Sequence, residues 1–172
     1  NEIKVSVLKK IIDGAGNICS KAGIVIAGGH TIELNEPIFG LVVLGIVKTK
    51  LLKKNNNSKV DDRLILTKPL GLGIYASAIK KKKISKSEYK EFISITTQLN
   101  EIGIKLSKLK EVNALTDVTG FGLLGHLSEV CIASKVSAEI EGEKIPFLSS
   151  VKKFILSDIF TGASLRNWEH YK

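Results

Sequence analysis

Short runs rich in Val, Ile and Leu alternate along this chain with longer segments in which apolar residues recur at helical spacing. The runs that predict strands are residues 24–27, 38–47, 63–67, 114–118 and 136–140. Strands that alternate with helices indicate an α/β or α+β architecture. Because the run 38–47 is too apolar to face water on either side, we expect it to lie in a buried or packed sheet.

The helical segments are predicted from apolar residues spaced three or four positions apart. They cover residues 3–22, 74–82, 87–109 (as one long helix or two), a segment that starts at Leu123, and 146–156. Gly23 is expected to end the first helix because glycine tolerates a positive φ, and Pro146 suits the first turn of the last. No further element is predicted between that helix and Lys172.

A polar stretch divides the chain. Residues 53–59 carry charged and amide side chains without an apolar anchor, which is typical of a surface loop between domains. We therefore predict a first domain over residues 1–50, a linker over residues 51–61 and a second domain over residues 62–172.

The composition excludes several classes of protein. The 172 residues are 44% hydrophobic and 25% charged, the balance of an ordinary globular protein rather than a disordered one. No apolar run approaches the roughly 20 residues that a membrane-spanning helix needs, and the first residues do not resemble a secretory signal, so no membrane association is expected. Cys19 and Cys131 lack the spacing of a zinc site or a disulfide framework, which favours a reducing compartment, the cytoplasm.

The net charge of +9 raises the alternative of a nucleic-acid-binding module, with the lysines at residues 80–83 as its most basic run. The excess is almost entirely lysine, however, since Arg63 and Arg166 are the two arginines. Base-reading proteins favour the bidentate guanidinium of arginine. We therefore expect no nucleic-acid partner.

The most informative run is residues 115–126, Leu-Thr-Asp-Val-Thr-Gly-Phe-Gly-Leu-Leu-Gly-His. Asp117 comes at the end of a predicted strand, just before a glycine turn that opens a helix. Helix N-termini attract phosphate, and Asp117 is compatible with a phosphate there if it holds Mg²⁺, which bridges carboxylates to phosphates. The alternative is that Asp117 caps the helix and the glycines only shape the turn.

A second glycine run also follows a predicted strand. Gly28 and Gly29 would let a ligand approach the main chain closely, and His30 could donate a hydrogen bond to a phosphate. By itself this pattern is weak, and a loop without a ligand fits it better. His126, which lies beside Leu124 and Leu127 in a predicted helix, is interpreted as a packed or half-exposed histidine rather than a ligand.

Taken together, these motifs resemble the selenophosphate synthetase (selenide, water dikinase) family. The matching segments are Ala-Gly-Gly-His-Thr at residues 27–31, Glu-Pro-Ile-Phe-Gly-Leu at 36–41, Leu-Thr-Lys-Pro-Leu-Gly at 66–71, the run at 115–129, and Arg-Asn-Trp at 166–168. The resemblance implies a PurM-like two-domain architecture, incomplete here at both ends, whose first domain pairs across a homodimer. It also implies the phosphorylation of selenide by ATP, with Mg²⁺, to selenophosphate, AMP and orthophosphate.

Carried over by position, Asp117 resembles one of the family's metal-binding aspartates, and Gly28, Gly29 and His30 resemble its ATP-contacting segment. The family's catalytic cysteine (or selenocysteine) and lysine have no counterpart here, so no catalytic residue is assigned. We therefore interpret the sequence as a fragment and expect it alone to have no dikinase activity and to bind ATP weakly if at all. The resemblance leaves open another PurM-like ATP-dependent enzyme, because the Thr-Asp-Val-Thr-Gly-Phe-Gly run is partly shared across that superfamily.

Overall fold

The computed structural model describes residues 3–171 and divides the chain into two compact units, before and after the peptide bond between Ile46 and Val47. The helices, numbered in chain order, are α1 (Val5–Lys21), α2 (Leu72–Lys80), α3 (Lys86–Thr96), α4 (Ile102–Lys108), α5 (Gly122–Ser134), α6 (Val151–Leu156) and α7 (Gly162–Tyr171). Short 3₁₀ turns cover Thr49–Leu51 and Gly142–Lys144. Among residues 3–171, none of the helices has the length and apolar character that crossing a membrane requires.

The first unit contains α1, which confirms the helix predicted from residue 3. Ala15 and Cys19 are its buried residues. The main chain reverses directly after the helix, where Gly23 adopts a φ of +70°, as expected for a residue that ends a helix. The Ile24 amide then donates to the Cys19 carbonyl at 3.0 Å, which satisfies one of the last carbonyls of α1.

The described residues do not confirm the predicted α/β class. All five predicted strand segments lie outside helices but form no strand within residues 3–171, where an isolated parallel bridge joins Leu70 and Phe147. Most of their apolar side chains are exposed instead, with Val42 and Leu44 each 92% accessible. A β-favouring run becomes a strand only when a neighbouring strand accepts its main-chain hydrogen bonds, and no such neighbour is present in the described part of the chain.

The second unit is built around one apolar core, where α2 packs against α3 and α6. Its largest fully buried side chains are Tyr75 and Phe154, whose rings meet edge to face with centroids 5.2 Å apart. The other core residues are Ala78, Leu148, Val151 and Ile159. A separate contact joins α5 to α7.

The predicted segment 87–109 is two helices, α3 and α4, with a break at residues 97–101, which is one of the two alternatives left open by the sequence. Two other helix predictions need correction. The helix predicted over 146–156 is limited to α6, because Pro146 is engaged in the bridge, where its carbonyl accepts from the Leu70 amide at 2.8 Å. Finally, α7 was not predicted, because its sequence is polar overall and none of its described residues is buried.

Two acidic side chains of α3 link the core helices. Ser85 caps α3 in a capping box with Glu88, whose carboxylate also accepts from Lys153 of α6 at 2.8 Å. One turn later, Glu91 accepts hydrogen bonds from the Tyr75 hydroxyl at 2.6 Å and the Ser149 hydroxyl at 2.7 Å. The bond from Lys153, followed by that from the Ser85 amide, lowers the pKa of Glu88 to about 2. The bond from Tyr75 is the main cause of a lowered pKa of Glu91.

We predict that the Glu88 carboxylate stabilises the folded chain at neutral pH and that this contribution is lost in acid. Because the folded pKa of Glu88, about 2, lies below the ordinary value of 4.5, its contribution is present above pH 4.5 and is lost as the pH falls towards 2. Glu88→Gln should lower the urea midpoint of unfolding at pH 7. It should also reduce the further decrease of that midpoint as the pH falls from 4.5 to 2. Glu143→Gln, an exposed change, is the control and should match the wild type. Equal acid dependence in wild type and Glu88→Gln would contradict this role.

Candidate functional site

The glycine turn predicted to bind phosphate is a loop over residues 116–121 that leads into α5. Asp117 lies exposed in this loop, and within residues 3–171 no hydrogen bond or ion pair involves its carboxylate. The N-cap of α5 is Phe121, and no side chain caps the helix there. The alternative in which Asp117 serves as the helix cap is therefore wrong, and its carboxylate is available to a ligand.

The loop is attached to α5 through a buried histidine. His126 is 9% exposed, and its Nε2 lies 3.0 Å from the Thr119 hydroxyl while its Nδ1 lies 3.3 Å from a carboxylate oxygen of Glu129. A carboxylate can only accept, so Nδ1 carries a proton, and in the neutral imidazole Nε2 accepts from Thr119. Of the two predicted alternatives, packed or half-exposed, the structure shows the packed histidine, and both of its ring nitrogens have a hydrogen-bond partner.

The loop over residues 116–121 is also attached to α7. The side-chain amide of Asn167 donates to the carbonyl of Gly120 at 2.8 Å. The two helices pack closely because Gly125 of α5 has no side chain: a Cβ there would lie 2.9 Å from atoms of both Phe121 and Tyr171. The Phe121 ring also meets the rings of His126 and Tyr171, with centroids 5.7 and 6.4 Å away. The loop is thus held from two helices.

The donor set at Asp117 suits a magnesium ion that is shared with phosphates. Mg²⁺ usually binds through one or two carboxylates together with waters and substrate phosphate oxygens. Asp117 provides one unpaired carboxylate, and no cluster of three or more His, Cys, Asp or Glu side chains lies within residues 3–171 to form a separate cage. The single carboxylate of Asp117 is therefore compatible with a site that a ligand completes.

The predicted ATP-contacting residues lie in the first unit. Gly28, Gly29 and His30 are all exposed, in a segment without helix or strand. A Cβ built on either glycine would meet no atom within 4 Å, so the main chain at this point is open. That openness is compatible with the close approach of a ligand. Asp117 belongs to the other unit.

Two lysines, one from the motif segment at residues 66–71 and one from the basic run at residues 80–83, have structural partners. The ammonium group of Lys68 donates to the Gln98 carbonyl at 2.5 Å, and that of Lys81 donates to the Asp158 carbonyl at 3.1 Å. Neither contact indicates a phosphate site.

Sequence reasoning missed the roles of several polar residues. Thr119 and Asn167, which hold the loop, gave no usable signal because their partners are seven and 47 positions away. Ser85 and Glu88, in contrast, form the Ser-x-x-Glu pattern that marks a helix start, and this pattern could have placed the first turn of α3.

Comparison with known proteins gives two family matches. The C-terminal domain of AIR synthase related proteins matches residues 59–163, and the N-terminal domain of the same proteins matches residues 1–47. These matches support the fold family that the sequence motifs indicate.

Curated relatives align with nearly the whole chain. Proteins named selenide, water dikinase are 47% identical in Pseudomonas straminea, 45% in Dechloromonas aromatica and 44% in Sulfurovum sp.. Each alignment covers 171 residues, which is 99% of this chain and 48%, 49% and 50% of the respective relatives. The chain spans about half the length of the curated relatives it matches.

Proposed function

We propose that this chain, which belongs to the family of AIR synthase related proteins, acts within an enzyme that converts selenide, ATP and water to selenophosphate, AMP and orthophosphate. The observation that carries the proposal is the 42–47% identity to proteins named selenide, water dikinase over 99% of the chain. Five motif segments spread from residue 27 to residue 168 support the same conclusion. Both cysteines are free and at least partly buried, which suits the reducing cytoplasm.

The proposed roles follow from the exposed groups described above. Asp117 would be one ligand of Mg²⁺, which supplies positive charge that neutralises phosphate oxygens during phosphoryl transfer. No side chain caps the start of α5, which follows the Asp117 loop in sequence, and a helix N-terminus of this kind suits an anion. Gly28, Gly29 and His30 would contact ATP through an open main chain and an imidazole. We further propose a PurM-like arrangement, with residues 1–50 and 62–172 in separate domains and a homodimer as the active form.

The test is product analysis on the complete gene product. Phosphorus NMR of a reaction with ATP, Mg²⁺ and selenide should show selenophosphate, AMP and orthophosphate in equal amounts. Omitting selenide should reduce AMP formation to background. Turnover of ATP that does not depend on selenide would contradict the proposal.

A second candidate is another ATP-dependent enzyme of the same family. The family match covers residues 1–47 and 59–163 without distinguishing members that act on different acceptors. The segments at residues 36–41 and 166–168, however, are those that favour the selenium enzyme. Phosphate release stimulated by another acceptor and not by selenide would favour this second candidate.

A further inference from the structure

The loop that carries Asp117 is held by two side-chain hydrogen bonds, which we name the loop clamp. The first joins Thr119 to His126 at 3.0 Å, and the second joins the Gly120 carbonyl to Asn167 at 2.8 Å. The anchoring residues belong to α5 and α7, two helices that pack against each other. The clamp therefore ties adjacent loop residues to a rigid helix pair.

The Asp117 carboxylate depends on this clamp for its position. It has no hydrogen-bond partner of its own within residues 3–171, so its placement follows from the main chain two and three residues further on. Gly120 supplies conformational freedom that would otherwise let the loop move. A ligand group gains most when it is held in place before the ligand arrives, because ordering a loop on binding costs free energy.

The two anchoring residues, His126 and Asn167, differ in their other contacts. His126 is buried and also contacts Glu129 and Phe121, so changing it would disturb the packing of α5. Asn167 is half-buried, and Gly120 is the partner recorded for its side-chain amide. Substitution of Asn167 therefore removes one hydrogen bond of the clamp with the least change elsewhere.

We propose that Asn167 is a positioning residue, which fixes the Asp117 loop from α7 and thereby prepares the carboxylate for Mg²⁺ and nucleotide phosphates. The identity of the ligand in this inference rests on the proposed function, whereas the two hydrogen bonds of the loop clamp do not depend on it. It assigns a role to the Arg-Asn-Trp segment at residues 166–168: the central residue acts through the loop and does not touch the reacting groups.

The test compares Asn167→Ala with Asn100→Ala in the complete gene product. Asn100 is exposed and its side chain makes no recorded hydrogen bond, so the control makes the same chemical change away from the loop. In the absence of metal and nucleotide, Asn167→Ala should speed amide hydrogen exchange at residues 119–122 by about tenfold. With ATP and selenide it should raise the half-saturating Mg²⁺ concentration by about five- to tenfold, while kcat at saturating Mg²⁺ stays near that of the wild type.

A second pair of variants tests the other half of the clamp. Thr119→Val removes the hydroxyl with little change of shape and should give the same two effects, whereas Thr119→Ser keeps the hydroxyl and should restore the wild-type values. A purely structural role would lower stability without changing the half-saturating Mg²⁺ concentration. A change of that concentration in Thr119→Val that is absent from Thr119→Ser therefore identifies a positioning role.

The possible outcomes separate the inference from the proposed function. Unchanged hydrogen exchange in Asn167→Ala would overturn the clamp, whatever the activity. Faster exchange with an unchanged Mg²⁺ dependence would overturn the positioning role. If the wild-type protein turns over no ATP, the proposed function fails, and the exchange comparison with Asn100→Ala alone decides whether the clamp holds the loop.

Discussion

Asp117→Asn is expected to lower selenide-dependent AMP formation by the complete gene product by about 100-fold or more. The change keeps the shape of the side chain but replaces a charged oxygen ligand by a neutral amide. Magnesium binds carboxylate oxygens strongly and amides weakly, so the cation would be lost or displaced from the phosphates that it has to neutralise. Because Asp117 is exposed and its carboxylate has no hydrogen-bond partner within residues 3–171, the variant should fold normally.

The matched control is Asp13→Asn, which makes the same charge change on an exposed face of α1. It should leave activity within twofold of the wild type. Raising the Mg²⁺ concentration should partly restore Asp117→Asn, because weakened binding responds to mass action. Full activity of Asp117→Asn at ordinary Mg²⁺ concentration would contradict the assignment of this carboxylate as a metal ligand.

The helices were the part of the fold that the sequence could predict. In α1, apolar residues at helical spacing and a glycine just beyond the last turn are both local signals, and local signals determine where a helix starts and stops. The predicted strands depend on partners instead. The run at residues 38–47 has the composition of a buried strand, yet its described residues have no neighbouring strand, and composition alone cannot supply one.

The candidate site, like the fold, has one part that could be recognised from the sequence and one part that could not. Asp117 and the glycines after it could be recognised because the carboxylate and the turn are adjacent in sequence. The anchors could not, since the bond from Asn167 to Gly120 spans 47 positions and exists only because α5 and α7 pack together. The helix α7 was not predicted either, because its sequence is polar overall and none of its described residues is buried.

The glycine of the Lys-Pro-Leu-Gly segment shows how a turn motif can be required by the core. Gly71 precedes α2 and has a φ of +115°, a conformation that strains any residue with a side chain. A Cβ at this position would lie 2.2 Å from a methyl carbon of Val151. Val151 is 3% exposed and belongs to the same core cluster as Tyr75 and Phe154, so it has no free space into which to move.

Gly71→Ala is therefore expected to lower the free energy of unfolding of the 172-residue chain by about 3 kcal/mol. Roughly 1–2 kcal/mol comes from the left-handed backbone and roughly 1–3 kcal/mol from overpacking against Val151. Urea unfolding monitored by circular dichroism should show a lower midpoint with an unchanged slope, since the surface exposed on unfolding stays the same. Gly142→Ala is the control, because its Cβ would meet no atom within 4 Å and its φ is not positive. It should change stability by less than about 0.5 kcal/mol. Equal midpoints for the two variants would mean that neither the backbone conformation nor the Val151 contact at Gly71 limits stability.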